Sequence, residues 1–114
     1  MGKASQRKGK EGELELTGIL HNYGFQVRRG TSQNYGTEPD ISGLPGIHCE
    51  VKRQERLLLS AAMKQAKRDS CRFRDGLPAV FHRKDREQWQ VTMFLQDWIR
   101  IYRKAVGDYG KEKV

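Results

Sequence analysis

Apolar residues recur along this chain with two alternating periods, and the alternation predicts an order of helices and strands. Near the start, Leu14, Ile19 and Leu20 form an apolar stripe at helical spacing, with Leu16 and Tyr23 beside it. Further along, polar and apolar residues alternate as in strands, and helix-forming residues return twice. The pattern predicts a helix from residue 10 that ends at 24, strands over 25–29, 40–41 and 47–52, a helix over 57–74, strands over 79–82 and 88–94, and a last helix over 95–106.

This order predicts an α/β protein with a mixed central sheet flanked by helices. A chain of 114 residues is the size of one domain with one core, so we expect a single domain over residues 1–114. We expect its polar ends to be a flexible basic tail (1–9) and a frayed C-terminus (107–114). The residues predicted to face the core are Trp89, Val91 and Met93 in the last strand, and Leu58, Ala62, Ala66 and either Cys71 or Phe73 in the second helix.

The charge balance favours a polyanionic partner. The chain has 22 Lys and Arg against 14 Asp and Glu, which gives a formal net charge of +8. Nucleic acid is the commonest partner of such a protein, and a basic surface that serves only solubility is the alternative. No apolar run approaches the ~20 residues that span a bilayer, and no secretory signal opens the chain. Two isolated cysteines, Cys49 and Cys71, fit buried thiols of a reduced, cytoplasmic protein better than a disulfide or a zinc site.

The candidate chemistry lies between Asp40 and Lys52. The Gly/Pro-containing turn over 42–46 predicts a hairpin that brings Asp40 beside Glu50. Residues two apart on a strand share a face, so Glu50 and Lys52 point to one side and Val51 to the other. In that arrangement Asp40, Glu50 and the carbonyl of Val51 would bind Mg2+, and Lys52 would orient water or stabilise the transition state. On spacing alone, a solvated hairpin with a cross-strand ion pair is the alternative.

Basic residues cluster in sequence around this hairpin and suit contacts to phosphates, which position a nucleic acid without reading its sequence. The basic residues that we expect to contact DNA are Arg7, Lys8, Lys10, Arg29 and Arg53. The polar stretch over 30–37 predicts a loop that is long for a small domain, which hints at function. The histidines, His21, His48 and His82, show no metal-ligand spacing, and we interpret His48 and His82 as structural strand residues.

Several short motifs, taken in order, resemble one group of nucleases. Pro39-Asp40 with Glu50-Val51-Lys52 resembles the core of the PD-(D/E)xK nucleases, a fold shared by many restriction enzymes and resolvases. More narrowly, Arg7-Lys8-Gly9 with Glu13 and Leu16, followed by Gly24-Phe25-Gln26-Val27, resembles the opening of archaeal-type Holliday junction resolvases. The stretches 42–48 and 81–84 are similar to small phage-encoded proteins of that kind. The resemblance covers most of residues 7–94 and implies a restriction-endonuclease-like fold.

The resemblance also implies an activity and assigns roles within it. It implies a Mg2+-dependent endodeoxyribonuclease, with Mn2+ as a substitute metal, acting in DNA recombination or repair in a bacterial or phage-infected cell. By this resemblance Asp40 and Glu50 are metal ligands, Lys52 is the catalytic lysine, and Glu13 is a helix-borne carboxylate that faces the metal. The resemblance further maps a DNA-contacting loop hydroxyl to Thr31 or Ser32, and a glutamine near the site to Gln65.

The less specific of these assignments have alternatives. Glu11 and Glu15 lie close to Glu13, and acidic residues there also suit the dipole of a helix N-terminus. Gln65 is also typical of a helix surface. The hydroxyl residues at 31 and 32 are also typical of a turn.

The leading hypothesis for function is a Holliday junction resolvase. Such an enzyme cuts two symmetrically placed strands of a four-way DNA junction, so one site per chain implies a homodimer. Another PD-(D/E)xK repair or restriction-like nuclease is the first alternative, and a non-catalytic DNA-binding protein of the same fold is the second. The presence of all four residues Glu13, Asp40, Glu50 and Lys52 argues against the second alternative.

Overall fold

The fold is built on a mixed β-sheet flanked by helices. The computed structural model describes residues 2–30 and 38–113, and the side chains of residues 7–30 and 38–107. Across these residues the elements are α1 (Gly2–Asn22), β1 (Arg28–Arg29), β2 (Ile41–Ser42), β3 (Ile47–Arg53), α2 (Leu59–Phe73), β4 (Leu77–Arg83), β5 (Gln90–Met93) and α3 (Leu95–Lys113). In the same part of the chain, no helix is long and apolar enough to cross a membrane.

The described strands form one sheet of five strands in the order β1-β2-β3-β4-β5. Neighbouring strands are antiparallel except β3 and β4, which are parallel and are joined by α2. A parallel pair needs such a crossover, because the chain must return to the starting edge of the sheet. The predicted α/β fold with a mixed central sheet and flanking helices is confirmed.

Two apolar clusters lie on opposite faces of this sheet, because side chains alternate along β3 and β4. The cluster beside α1 contains Leu16, Val27, Ile41, Cys49 and Val51. The cluster beneath α2 contains Ala62, Met63, Ala66 and Val80. Strand β3 therefore has a helix over each face, and residues on both of its faces are withdrawn from water.

Helix α1 is longer than the sequence pattern predicts. It begins at Gly2, so residues 2–9 are helical, whereas a flexible tail was predicted there; α3 likewise continues to Lys113 through the predicted frayed end. The Lys, Arg, Gln and Ala residues of 2–9 have high helix propensity, which the polar composition concealed. Because α1 begins early, the acidic residues Glu11, Glu13 and Glu15 lie in the body of the helix, and the predicted favourable interaction with its N-terminal dipole does not apply.

The apolar stripe predicted for α1 is wrong in register. Leu14 is 51% exposed, whereas Leu16 is 3% exposed and belongs to the core. Residues two positions apart in a helix are separated by about 200° around its axis, so Leu14 and Leu16 cannot both face the sheet. Gly12 lies one turn before Leu16 and lets the helix approach β3, since a Cβ there would lie 2.6 Å from Cβ of Arg53. Gly12 therefore determines which face of α1 contacts the sheet, and the larger apolar residues of the helix pointed to a different face.

Other predicted core positions also change. Ala62 and Ala66 are buried as predicted, but Leu58 lies just before α2 and is 77% exposed. Both cysteines were predicted to be buried thiols, but Cys71 is exposed and only Cys49 is buried. Trp89, just before β5, and Met93 within it are half-buried, but Val91 on this edge strand is 55% exposed.

Candidate active site

The predicted hairpin is formed by β2 and β3, and it brings Asp40 beside Glu50. Ile41 pairs with Cys49 in the antiparallel register, so the preceding Asp40 lies next to Glu50 in the neighbouring strand. The turn depends on Gly43, whose φ is +110° and where a Cβ would lie 2.5 Å from the carbonyl oxygen of Gln26. Only glycine fits such a position without strain, so a local feature of the sequence sets the alignment of the two carboxylates.

Glu50 and Lys52 share one face of β3 and Val51 lies on the other face in the core, as predicted, and α2 covers the face of Glu50. Glu50 is buried, and its Oε2 lies 3.7 Å from Nζ of Lys52. The amide N–H of Val51 donates a hydrogen bond of 2.8 Å to Oδ2 of Asp40. The backbone of β3 therefore fixes the Asp40 carboxylate, and Glu50 holds the ammonium group beside it.

Burial and mutual repulsion make this pair of carboxylates electrostatically costly. Burial raises the pKa of Asp40 to about 7, the neighbouring Glu50 carboxylate adds to the rise, and the Val51 N–H opposes it. Glu13 raises this pKa further, and Lys52 lowers it. A cluster of partly neutralised carboxylates is what a bound divalent cation would stabilise, since the cation favours their charged forms.

The structure separates the three neighbouring glutamates of α1. Glu13 is half-buried and accepts a hydrogen bond of 3.2 Å from Nε of Arg29. Burial raises its pKa, Arg29 opposes the rise, and repulsion from Glu50 adds to it. Glu11 is exposed. Glu13 therefore lies within electrostatic reach of the Asp40–Glu50 pair.

Glu15 serves a different contact. It accepts hydrogen bonds of 2.7 and 2.9 Å from the guanidinium of Arg83 and one of 2.6 Å from Nε1 of Trp89. The hydrogen bonds from Arg83 lower its pKa. Glu15 thus links α1 to the end of β4, and its carboxylate is occupied by Arg83 and Trp89.

The basic residues predicted to contact DNA fall into two groups. Arg7 and Lys10 are exposed. Lys8 and Arg53 share ion pairs with Glu55 and Asp85. The Lys8 pairs lie at the surface, where ion pairs contribute little to stability, whereas the Arg53 side chain is only 13% exposed.

Of the remaining residues predicted to contact DNA, Arg29 and Gln65 are among the described residues. Arg29 is held by Glu13. Gln65 is half-buried on α2. Thr31 and Ser32 lie outside the described residues.

His48 is a site residue that the sequence interpretation assigned only a structural role. Its side chain is fully buried, with Nδ1 at 2.8 and 3.0 Å from the two carboxylate oxygens of Asp75 and Nε2 at 3.4 Å from Oε1 of Glu50. Burial lowers its pKa, but hydrogen bonding to Glu50 and Asp75 outweighs burial, so the pKa of His48 is raised. The available signal was its position two residues before Glu50, which puts both side chains on one face of β3.

Asp75 reaches His48 because two turns touch. Gly76 has φ +131°, and a Cβ on it would lie 2.3 Å from the carbonyl carbon of Gly46. The amide of Leu77 donates a hydrogen bond of 2.8 Å to the carbonyl oxygen of Gly46. The hairpin turn and the turn after α2 are therefore joined backbone to backbone, an approach that the sequence pattern did not reveal.

His82 remains structural, as predicted. Its Nε2 lies 2.8 Å from the hydroxyl of Thr92 in β5, and burial lowers its pKa. It thus links β4 to β5, and in the sheet it pairs with Lys52 of β3.

Comparison with known proteins finds solved structures with a similar fold. No family model and no curated protein matches the chain. The 1.6 Å structure of Hjc from Archaeoglobus fulgidus, a Holliday junction resolvase from an archaeal hyperthermophile, is similar with a TM-score of 0.55 and 24% sequence identity. The similarity covers 75% of this chain and 72% of that chain. It is a similarity of fold, and it agrees with the resolvase-like fold expected from the motifs.

Proposed function

We propose that this protein is a metal-dependent, structure-selective DNA endonuclease, and specifically a Holliday junction resolvase. The observation that carries the proposal is the meeting of Asp40 and Glu50 in a buried site beside Lys52. The similarity in fold to a Holliday junction resolvase supports the same reading. The net charge of +8 suits a DNA partner.

The donor set fits Mg2+, with Mn2+ as a substitute. Asp40 and Glu50 supply carboxylate oxygens, and their burial and repulsion raise the pKa of Asp40, so a cation at this point would relieve an existing cost. The carbonyl of Val51 and the carboxylate of Glu13 would complete the protein ligands. When bound, the metal would lower the pKa of a water molecule and offset charge on the phosphate.

The chain's own contacts prepare these groups. The N–H of Val51 holds the Asp40 carboxylate through the 2.8 Å hydrogen bond, so the carboxylate needs little reorganisation on binding. Glu50 keeps the ammonium of Lys52 within 3.7 Å, where it would stabilise charge developing on the scissile phosphate. Arg29 likewise orients the Glu13 carboxylate, by donating a hydrogen bond to it.

Phosphate contacts would come from the basic residues of α1 and of the strand ends. Exposed Arg7 and Lys10 are directly accessible, whereas Lys8 and Arg53 would exchange Asp85 and Glu55 for phosphates. The further predicted DNA contacts are Arg29, Gln65, Thr31 and Ser32. This set is suited to recognition of DNA shape in recombination or repair, in the cytoplasm of a bacterial or phage-infected cell.

Resolution of a four-way junction requires two sites, so we infer a homodimer. Large apolar residues that a second copy would cover are exposed on α3, among them Leu95, Trp98 and Tyr102. Light scattering should give twice the chain mass for the parent protein and a smaller mass for Trp98→Glu. A parent protein that stays monomeric on DNA as well would contradict the dimer.

One cleavage experiment tests the function. Four-way junctions, flaps, linear duplex and single strands are incubated with the protein in Mg2+ or EDTA, alongside Asp40→Asn and Lys52→Ala. Exposed Lys64→Ala on α2 is the matched control for Lys52→Ala. We expect Mg2+-dependent cutting of the junction that both site variants lose and the control retains.

Each other outcome selects an alternative. Binding without cutting of any substrate would identify a non-catalytic DNA-binding protein. Equal cutting of linear duplex and junction would identify another PD-(D/E)xK nuclease and remove the resolvase label.

The role of Glu13 has its own test. Glu13→Gln should slow junction cleavage, whereas Glu11→Gln, on an exposed position of the same helix, should not. The reverse result would show that the wrong glutamate of α1 has been assigned to the metal.

A further inference from the structure

We propose that His48, Glu50 and Asp69 form a second cation site, which takes a divalent ion of the Zn2+ type. Among the described residues, the ligand atoms of these three side chains all lie within 4.8 Å of one another. One imidazole nitrogen and two carboxylate oxygens make a donor set that suits Zn2+ better than Mg2+. The site goes beyond the proposed nuclease centre and shares only Glu50 with it.

Asp75 determines which nitrogen of His48 is free to bind. Both oxygens of the Asp75 carboxylate lie within 3.0 Å of Nδ1, so Nδ1 carries the hydrogen. In the neutral ring Nε2 then presents a lone pair, and a carboxylate that orients a histidine in this way is the usual support of a metal-bound imidazole. Phe73 lies against the ring, with centroids 6.0 Å apart, and helps to fix its plane.

The separation of Nε2 and Glu50 Oε1 fits two ligands of one ion. At 3.4 Å it exceeds the ~2.7–2.9 Å of a charged hydrogen bond. Two ligands that each lie about 2.1 Å from a tetrahedral ion are separated by about 3.4 Å. In the metal-free protein a proton on Nε2 would bridge the two groups, and a bound metal ion would take the place of that proton.

Asp69 supplies the third ligand from α2, which packs over the face of β3 that holds His48 and Glu50. It follows Ala66 by three residues, so it lies on the α2 face that packs on the sheet. Its side chain is 18% exposed and has one weak ion pair, 3.8 Å from Nε of Arg68. Its ligand oxygen lies within 4.8 Å of those of the other two side chains, and a fourth position would remain for water.

The two oxygens of Glu50 would then serve different partners. Oε1 faces His48, and Oε2 faces Lys52. An ion at the second site would fix the orientation of Glu50 through Oε1 and leave Oε2 directed toward Lys52. The His48–Asp75 pair would then serve to bind a metal ion, together with Asp69 of α2.

Zinc titration in the absence of DNA tests the site. Untagged metal-free protein carrying Asp40→Asn, which disables the first centre, is titrated with Zn2+ by calorimetry. We expect one Zn2+ per chain, and at least about tenfold weaker binding on adding Asp69→Asn. His48→Asn is the second variant, Asp97→Asn on α3 is the matched control, and Cys71→Ser excludes binding at the exposed thiol.

A spectroscopic readout identifies the ligand directly. Zn2+ should move the 15N resonance of His48 Nε2 and leave those of His21 and His82 unchanged. Zinc binding that is as tight in Asp69→Asn as in its parent, that disappears with Cys71→Ser, or that is absent altogether would overturn the site. In the last case a proton alone occupies the space between His48 and Glu50.

Failure of this site and failure of the nuclease proposal are distinguishable. Zinc binding is measured without DNA in a chain that lacks Asp40, whereas cleavage is measured with Mg2+ in the unmodified chain. Intact cleavage without zinc binding would remove only the second site, and zinc binding without cleavage would remove only the nuclease.

Discussion

The two faces of β3 are buried to a similar extent but contain opposite chemistry. Cys49 and Val51 point toward α1 and lie in an apolar cluster. His48 and Glu50 point toward α2 and are equally withdrawn from water. Burying apolar surface stabilises a fold by ~25 cal/mol per Å2, whereas burying charged groups costs free energy unless they are paired.

The difference shows which face supports the fold and which supports function. On the charged face, burial and repulsion raise the pKa of Asp40, and Lys52 compensates only part of the negative charge. A strand needed only for the sheet would gain from apolar residues on both faces. Perturbed pKa values of this kind concentrate at functional sites. Substitutions on the two faces should therefore separate activity from stability.

The largest expected effect is on activity. Glu50→Gln on the charged face should reduce junction cleavage at least about 10^3-fold, because it removes a proposed metal ligand and the partner of Lys52. Cys49→Ala, one residue away on the apolar face, should leave the rate per folded molecule unchanged. Single-turnover cleavage with urea unfolding measures both effects. Equal losses of activity in the two variants would remove the distinction between the faces.

The next effect concerns pH and the metal-free protein. The pKa of Asp40 is raised from 3.8 to about 7, so between these values the folded state binds more protons than the unfolded state. The free energy of unfolding should therefore fall as pH rises from about 4 to about 7, by at most about 4 kcal/mol from this residue. Urea unfolding at several pH values measures the slope.

Asp40→Asn should make that decline shallower and stabilise the metal-free protein at pH 7, while Asp97→Asn on α3 serves as the control. Mg2+ should raise the stability of the parent protein at pH 7 but not that of Asp40→Asn. Parallel pH slopes for the parent and Asp40→Asn would contradict the assignment of the cost to Asp40.

On the apolar face, the expected effect is on stability alone. Leu16→Ala should lower the free energy of unfolding by about 2–4 kcal/mol, because Leu16 is 3% exposed in the cluster that covers Cys49 and Val51. Chemical denaturation gives the change, and cleavage per folded molecule should stay as in the parent. A drop in activity greater than the loss of folded protein would connect α1 packing to the site.

The smallest expected effect is that of Leu14→Ala, the same substitution two residues earlier. Leu14 is 51% exposed, so the free energy of unfolding should change by no more than about 0.5 kcal/mol. Denaturation of Leu14→Ala beside Leu16→Ala measures the contrast. A large cost at Leu14 and a small one at Leu16 would restore the helix register predicted from the apolar stripe.

Much of the charged face was predictable because its geometry is local. The alternation of side chains in β3 and the short turn over 42–46 suffice to put Glu50 and Lys52 on one face with Asp40 nearby. The sequence alone could not choose Glu13 over Glu11 or Glu15, which follow the same helical pattern. The structure separates them by contact: Glu13 meets Arg29, and Glu15 meets Arg83 and Trp89.

The sequence by itself determined the order of helices and strands, the mixed sheet and the local pairing of Asp40 with Glu50, since these depend on periodicity and on one turn. Only the tertiary structure decided the face that α1 turns to the sheet and the surroundings of His48. The physical reason is distance along the chain. Asp75 is 27 residues from His48 and reaches it only where the Gly46 and Gly76 turns touch, and Asp69 arrives from α2 above the strand. Periodicity assigns a residue to a face, but only the crossing of elements determines what that face meets.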